Sequence, residues 1–514
     1  MTWGRLARLA LVVVVSAAPS MAATTPTLAD AAEQRNGTLV RKLLAANADV
    51  NAAQVDGTTA LHWAVYNDDA EMAQLLVHSR ANVNATNRYG VAPLFLAATN
   101  GNSHVVTLLL DAGANANASL PGGETVLMTA ARAGNVDVVK ALLVRGADPN
   151  ARERREQTAL MWAAAEGHAA VVRALIEAGA DVNATLPSGF TPLFFAVREG
   201  HIDVARTLLK AGVNVNETVK PVDADKLIVG PRYRPVRQGT SPLMMAVENG
   251  HFELAIALVD AGADPDDQRS GFTPLHAVTW VRKPDASDTG DPAPIGSGAL
   301  SSLQFVRALV ERGAKVNARL DKGGPRAPAS ATLLGVEGST PFLMAADRAD
   351  VPLMRELLAL GADPFLPNAD KSTPLMAAAG LGTSDPLEEA GTESEALEAV
   401  KLLLDLHADI NAVDDKGDTA MHGAAYGNFP AVVQLLADRG ADINIWKRFD
   451  TEGRSPLFIA EGYKAGRPQP SRPTIEVIRR LMVAAGVPTD GTRPVIHDIY
   501  EKKPPAPPKE PQKP

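Results

Sequence analysis

Apolar and polar residues alternate with helical spacing along most of this chain. In residues 136–143 the apolar side chains recur every three or four positions, which predicts a helix with one buried face. A similar stretch precedes it and ends at Gly134, a residue that readily adopts the left-handed conformation found after helices. The pattern therefore predicts pairs of short helices, an inner helix followed by an outer helix.

A four-residue word marks the start of each predicted inner helix. It is written Thr59-Ala-Leu-His62 in one copy and Thr191-Pro-Leu-Phe194 in another. Thr or Ser caps a helix N-terminus, and Pro fits the first helical turn because its missing N–H is not needed there. The copies begin at Pro26 (a degenerate copy), Thr59, Ala92, Thr125, Thr158, Thr191, Ser241, Thr273, Thr340, Thr373, Thr419 and Ser455. The first six starts are 33 residues apart, and such a fixed period indicates twelve copies of one structural unit.

A glycine ends the outer helix in most copies. It is Gly113 in one copy and Gly146 in the next, each 21 residues after its leading residue. Asn47, Arg80 and His407 occupy this position in other copies. We expect these three copies to be less stable, because a side chain disfavours the left-handed conformation.

The later copies carry insertions at two kinds of position. Residues 217–239 and 319–338 lengthen the finger, which is the connection between an outer helix and the next inner helix. Residues 282–299, 380–396 and 463–472 separate the two helices of one copy. Insertions at equivalent points of a stack share an edge, so we expect the long fingers at one rim and the loops at the opposite rim.

Two interpretations of the insertions stay open. Surface loops vary in length at little entropic cost, so the insertions are neutral under the first interpretation. Long loops often carry function, so under the second the binding site lies within residues 191–486. Deleting residues 217–239 would then abolish capture of a partner.

The two ends of the chain differ from the repeats. Residues 1–22 carry Arg5 and Arg8, then an apolar run, then small residues at Ser20 and Ala22. This predicts a secretory signal peptide cleaved before Ala23, since the apolar run of residues 9–18 is too short to span a membrane. We expect a periplasmic or secreted protein without membrane insertion after cleavage. Residues 23–490 are predicted to form one repeat domain, and the Pro-rich residues 491–514 a disordered tail.

The amino-acid composition excludes several classes of function. Hydrophobic residues make up 46% and charged residues 21% of the 514 residues, values typical of a folded globular protein. The net charge is 50 − 59 = −9, which argues against nucleic-acid binding because such proteins need a basic surface. The chain has no cysteine, which excludes disulfides, thiolate nucleophiles and Cys-ligated metals.

These words and their period resemble the ankyrin repeat, from Pro26 to about Gly486. The resemblance implies an all-α fold, an α-solenoid of stacked helix-turn-helix repeats with β-hairpin fingers, continuous along the chain. It also implies a non-catalytic scaffold, of the kind exported by bacteria, that binds an unidentified protein through the concave inner-helix face and the fingers. We expect a monomer, and no cofactor is implied.

Candidate contact residues follow from their positions in the repeats. Tyr, Trp and Arg are enriched among the residues that dominate binding energy. Large side chains four positions after the leading residue, Trp63 and Trp162 among them, are expected to pack between helices. The candidates for protein binding are Tyr66, Arg198, Trp280 and Tyr426 on inner helices, and Arg232, Tyr233, Arg234 and Arg237 in the finger insertion at residues 217–239.

Two other classes of function remain as alternatives. An enzyme or enzyme subunit would build its site from the insertions in the sixth to twelfth copies. A receptor for an anionic small ligand would use the basic finger residues, because Arg pairs well with carboxylate and phosphate. Catalytic motifs are missing, and His62, His276 and His422 belong to the repeat word. We predict that these histidines bond to neighbouring backbone, and that the acidic residues 393–398 cap an outer helix.

Overall fold

The computed structural model describes residues 26–220, 236–284, 293–321, 332–386, 390–463 and 469–490. The chain divides after Arg154 into two compact units, unit 1 and unit 2. The predicted signal peptide, the Pro-rich tail and the candidates Arg232, Tyr233 and Arg234 lie outside the described residues. The single repeat domain over residues 23–490 stays a prediction.

Unit 1 consists of helix pairs in two layers. The pairs are α1 (Leu28–Glu33) with α2 (Gly37–Ala45), α3 (Ala60–Tyr66) with α4 (Ala70–His78), α5 (Pro93–Asn100) with α6 (Ser103–Asp111), and α7 (Val126–Ala133) with α8 (Val136–Val144). The inner helices α1, α3, α5 and α7 pack side by side in chain order, and the outer helices α4, α6 and α8 do the same. This is the helix-turn-helix stack predicted from the sequence.

Unit 2 repeats the same arrangement over more pairs. They are α9 (Ala159–Ala165) with α10 (Ala169–Glu177), α11 (Pro192–Glu199) with α12 (Ile202–Lys210), α13 (Pro242–Glu248) with α14 (Phe252–Asp260), α15 (Pro274–Arg282) with α16 (Ser302–Glu311), α17 (Pro341–Asp347) with α18 (Val351–Ala359), α19 (Pro374–Ala378) with α20 (Glu393–Asp405), α21 (Ala420–Tyr426) with α22 (Pro430–Asp438), and α24 (Pro456–Ala460) with α25 (Arg472–Ala484). The short helix α23 (Ile443–Trp446) lies in the last finger. Each inner helix contacts the next inner helix, and each outer helix the next outer helix.

The repeat word acts as a helix start. In α17 the hydroxyl of Thr340 accepts a hydrogen bond from the Leu343 N–H at 3.1 Å, and Pro341 is the first helical residue. Behind the cap, the inner helices meet through small side chains: Ala163 and Ala164 are fully buried. Small residues let neighbouring helices approach closely, so each pair buries its apolar face against the next pair.

The histidines of the word join one repeat to the next, as predicted. The Nδ1 atom of His62 lies 2.8 Å from the Thr59 hydroxyl, and its Nε2 atom lies 3.0 Å from the Val91 carbonyl of the following finger. His276 and His422 make the same pair of contacts. Burial lowers the pKa of both His276 and His422 to about 4, so these rings are neutral at pH 7.

The fingers are tight turns. The described residues contain no strand. Their hairpin pairing is limited to two isolated bridges, which join Ala53 to Thr59 and Ser119 to Thr125. Adjacent fingers are joined through single backbone bonds, such as the Arg88 N–H to the Asp56 carbonyl at 2.8 Å. None of the described helices has the length and apolar character needed to cross a membrane.

Candidate partner-binding surface

In each unit the inner helices and the finger bases form one surface, called here the inner-helix face. In unit 1 a chain of hydrogen bonds crosses this face. The indole N–H of Trp63 donates to Gln54 Oε1 at 2.8 Å, and the Gln54 amide donates to Asp30 at 2.9 Å and to Glu33 at 2.7 Å. Trp63 on α3 is therefore held in place by a finger residue and, through it, by α1.

Tyr66, one turn further along α3, lies open on this surface. Its side chain is 53% exposed, and its ring meets the Trp63 ring edge-on with the centroids 5.6 Å apart. An aromatic pair in this geometry is favourable and restricts both rings. The structure thus places the candidate Tyr66 where a partner can reach it, on a rigid support.

Arg198 is also exposed, at the C-terminal end of α11 in unit 2. Its Nε atom lies 2.9 Å from the carboxylate of Glu199, and its guanidinium lies 5.4 Å from the centre of the Phe195 ring. Its side chain is 42% exposed, so part of the charge remains available to solvent.

Arg237 lies inside unit 2 and makes its contacts there. Its guanidinium forms an ion pair with Glu248, and lies 5.6 Å from the Phe272 ring and 5.9 Å from the Trp280 ring. Trp280 is only 5% exposed and packs edge-on against Phe272. Burial raises the pKa of Glu248, and the charge of Arg237 opposes this rise. Arg237 and Trp280 thus link the finger base to helices α13 and α15, and direct contact with a partner stays a prediction for both.

Tyr426 is likewise buried, at 5% exposure, and Arg454 lies 5.6 Å over its ring. Burial raises the pKa of this Tyr. Arg454 also donates to the Asp450 carboxylate at 2.8 Å. The structure gives Tyr426 a packing role, and its predicted contact with a partner is untested.

A buried acidic group beside Tyr426 was not anticipated from the sequence. Asp418 is 4% exposed, and its Oδ1 atom has no hydrogen-bond partner. Burial, with the charges of Asp414 and Asp450 nearby, raises the pKa of Asp418 to about 7. A signal was present: Asp418 and Arg454 both directly precede the leading residue of their repeats, which places opposite charges at equivalent positions of adjacent copies.

The insertions contact each other across unit 2. The Leu333 N–H, in the finger insertion, donates to the Gly382 carbonyl, in an inter-helix insertion, at 2.7 Å. Our expectation of separate rims is therefore wrong for this finger. The reason is one of length: the seven residues of α17 span about 10 Å, which three or four extended residues can cross.

Another insertion folds back along the stack. The Ser297 hydroxyl donates to the Gly200 carbonyl at 3.0 Å, and its N–H donates to His251 Nδ1 at 2.9 Å. Ser297 follows α15, whereas Gly200 and His251 each lie just before an outer helix of an earlier repeat. This loop thus ties three successive repeats together.

Of the acidic residues 393–398, Glu395 caps the outer helix α20, as predicted. Thr392 and Glu395 form reciprocal capping bonds at the N-terminus of α20, and Glu395 also pairs with Lys283 at 2.9 Å. Within the described ranges, no group of three or more His, Asp or Glu residues is arranged to hold a metal ion.

Comparison with known proteins agrees with this geometry. The family model for ankyrin repeats in three copies matches residues 28–120, 127–219 and 387–467, and the single ankyrin-repeat model matches residues 238–269. The chain belongs to the ankyrin-repeat family. It is also 33% identical over 110 residues to alpha-latroinsectotoxin-Lt1a of Latrodectus tredecimguttatus, an alignment that covers 21% of this chain and 7% of that protein.

Proposed function

We propose that this protein is an exported, non-catalytic scaffold of twelve ankyrin repeats that binds a partner protein through the inner-helix face of unit 1. The observation that carries the proposal is the Trp63–Tyr66 pair, with Tyr66 half exposed and Trp63 anchored by Gln54. Aromatic anchors supply much of the energy of interfaces. Because both rings are held before binding, little conformational entropy is lost when a partner docks.

Other observations support this assignment. Ankyrin repeats are generally protein-interaction modules, and they match more than half of this chain. The finger tips of unit 1 expose Val55 and Tyr89, at 107% and 51%, which adds apolar contact area on the fingers. Residues 1–22 support export.

The contacts of the described insertion residues are consistent with a scaffold. Lys283 pairs with Glu395, and Leu333 donates to a backbone carbonyl, both of which are packing contacts. The guanidinium of Arg237 is engaged by Glu248 and two aromatic rings, which leaves it poorly placed to receive an anionic ligand.

Affinity purification tests the proposal. Tagged mature protein is cross-linked to its partner in the envelope fraction, and the captured protein is compared with that of the Tyr66→Ala variant. Loss of a central aromatic anchor costs about 2 kcal/mol, a roughly 30-fold drop in affinity. Because Tyr66 is exposed, the variant should fold normally.

The matched control is Val144→Ala. Val144 is an apolar side chain in the same unit, 82% exposed, but it lies on the outer helix α8. We expect unchanged capture by this variant. Equal capture by Tyr66→Ala and the unmodified protein would contradict the proposed surface.

A further inference from the structure

Residues 332–336, called here the strap, run over the inner-helix face at α17. The strap lies within the finger insertion of residues 319–338 and reaches Gly382, two repeats further on, through the Leu333 N–H. Its Thr332 hydroxyl donates to Asp347 at the end of α17 at 3.3 Å. At its other end, the Asn368 amide donates to the Gly335 carbonyl at 2.8 Å. The strap is therefore attached at both ends with α17 beneath it.

The strap covers apolar side chains. A cavity of about 10 Å³ remains between Leu334 and Val336 on the strap and Leu343 and Met344 on α17, which is room for at most one water molecule. Met344 is 6% exposed.

The contact with the strap requires a residue without a side chain at Gly382. A Cβ atom at Gly382 would lie 2.5 Å from the Leu334 nitrogen and 2.9 Å from the Thr332 hydroxyl, closer than atoms can approach. Its φ of +93° is also one that side chains disfavour. The backbone at this position is thus open to an extended segment that donates a hydrogen bond to its carbonyl.

The strap is held by few interactions. Its Leu333 N–H bonds to Gly382, its Thr332 hydroxyl makes one long bond to Asp347, and Leu333 itself is 38% exposed. Segments with few buried contacts and exposed hydrogen bonds open at low free-energy cost. Opening the strap frees the carbonyl of Gly382 and removes Leu334 and Val336 from the surface of α17.

We propose that α17 and Gly382 form a binding groove for an extended apolar peptide segment of a partner, and that the strap is its built-in cover. The strap shows the chemistry of the ligand: an uncharged segment, Thr-Leu-Leu-Gly-Val, that donates one backbone hydrogen bond and places two apolar side chains on α17. The inference rests on the proposed protein-binding function for the existence of a partner, whereas the groove and its cover can be tested without one.

The absence of cysteine in the chain permits a direct test. In Met344→Cys the new thiol lies beneath the strap, and its reaction with a thiol reagent reports strap opening. Leu333→Pro removes the N–H that bonds to Gly382, and we expect labelling at least about tenfold faster in this background, because the rate follows the population of the open form. Leu333→Ala keeps that N–H and should leave labelling unchanged.

Met245→Cys controls for general loosening. Met245 occupies the equivalent position of α13 and is 3% exposed, but it lies outside the strap. Its labelling should not respond to Leu333→Pro. If Leu333→Pro leaves Cys labelling at position 344 unchanged, or accelerates both positions equally, the strap is not a cover.

A peptide of residues 332–336 then probes the groove. At millimolar concentration it should slow labelling of Met344→Cys in the Leu333→Pro background at least threefold, while a scrambled peptide should not. Faster labelling without protection by the peptide would overturn the groove. Protection by the peptide together with full partner capture by Tyr66→Ala would uphold the groove and reject the proposed surface on unit 1, so the two failures are distinguishable.

Discussion

Asp418 shows how one position in a repeat can acquire an unusually high pKa. The residue stands directly before the N-cap Thr419, where the finger meets the inner helix, and is nearly fully buried. Asp414 and Asp450 come from the turns of two adjacent fingers, and their charges add to the effect of burial, while Arg454 and Lys416 oppose it. A carboxyl group with a pKa of about 7 is largely protonated below that pH in the folded protein.

The raised pKa predicts that the free energy of unfolding decreases at high pH, and that Asp418→Asn removes this decrease. Between pH 4 and 7 the folded protein retains a proton on Asp418 that the unfolded chain has released, so unfolding free energy falls as pH rises through this window. Asn cannot ionise, so the variant should be more stable than the unmodified protein at pH 8, by on the order of 3 kcal/mol, and similar at pH 3.5. Urea denaturation at several pH values measures this difference.

Asp415→Asn serves as the control for Asp418→Asn. Asp415 lies in the same turn, with a side chain 51% exposed and paired with Lys371. The difference in unfolding free energy between Asp415→Asn and the unmodified protein should not change comparably with pH. A difference between Asp418→Asn and the unmodified protein that stays constant from pH 3.5 to 8 would contradict the assignment.

Residues with a left-handed backbone conformation give a second prediction about the effect of single residues on stability. His407 has a φ of +66° where most copies have Gly, and Asn47 and Arg80 share this conformation. His407→Gly should raise the free energy of unfolding by about 1 kcal/mol, because the strain of a side chain in this region is relieved. His407→Ala keeps a Cβ atom and should give no gain in urea denaturation; equal gains for both variants would point to the imidazole instead.

At the scale of elements, residues of the inter-helix insertions link neighbouring repeats. Arg282, at the end of α15, donates to both carboxylate oxygens of Asp350, at 2.8 and 3.1 Å. Asp350 also caps α18 by accepting from the Leu353 N–H at 3.1 Å. The two residues are 68 positions apart, so this ion pair fixes the end of the inner helix α15 against the start of α18, the outer helix of the next repeat.

Asp350→Ala should therefore be strongly destabilising. Asp350 is 5% exposed, and its removal leaves the charge of Arg282 without its partner in a poorly solvated position. We expect a loss of about 3 kcal/mol in the free energy of unfolding, measured by chemical denaturation. Glu356→Ala breaks a pair between the same two repeats but leaves behind Arg307, whose side chain is 58% exposed, and should cost much less. Comparable losses for both variants would show that solvent exposure does not govern these pairs.

At the scale of the whole molecule, the inner-helix face differs between regions. Seven positions after the leading residue, Tyr66 of unit 1 is 53% exposed, whereas Trp280 and Tyr426 of unit 2 are each 5% exposed. In unit 2 these buried rings lie against arginines of the fingers, Arg237 beside Trp280 and Arg454 over Tyr426. We therefore expect a partner to dock first on unit 1.

The proposed export gives a second prediction for the whole chain. A charge within the apolar run, as in Leu11→Arg, should block translocation and keep residues 1–22 attached, because the signal segment must partition into an apolar environment. Ser20→Ala keeps a small residue near the cleavage site and should be processed normally. N-terminal sequencing of the exported protein should begin at Ala23; an intact N-terminus on exported protein would contradict the cleavage.

Local features of the structure could be predicted from the sequence. The helix starts at Thr59, Thr340 and Ser455, the capping contacts of His62 and Glu395, and the left-handed residue at His407 all depend on groups within a few positions along the chain. Hydrogen bonds of this range follow from residue type and spacing, since the helix geometry sets the partner. Stacking of the pairs followed from the repeated apolar face.

Tertiary structure alone decided where the insertions run and which candidates are exposed. Ser297 meets Gly200 across 97 positions, and Leu333 meets Gly382 across 49. The burial of Trp280 beside Arg237 likewise depends on a finger that the helical pattern does not describe. Insertions lack the period that sets the register of the repeats, so their paths depend on packing in three dimensions. The sequence determined an ankyrin-repeat stack, and the fold determined which part of its inner face is open to a partner.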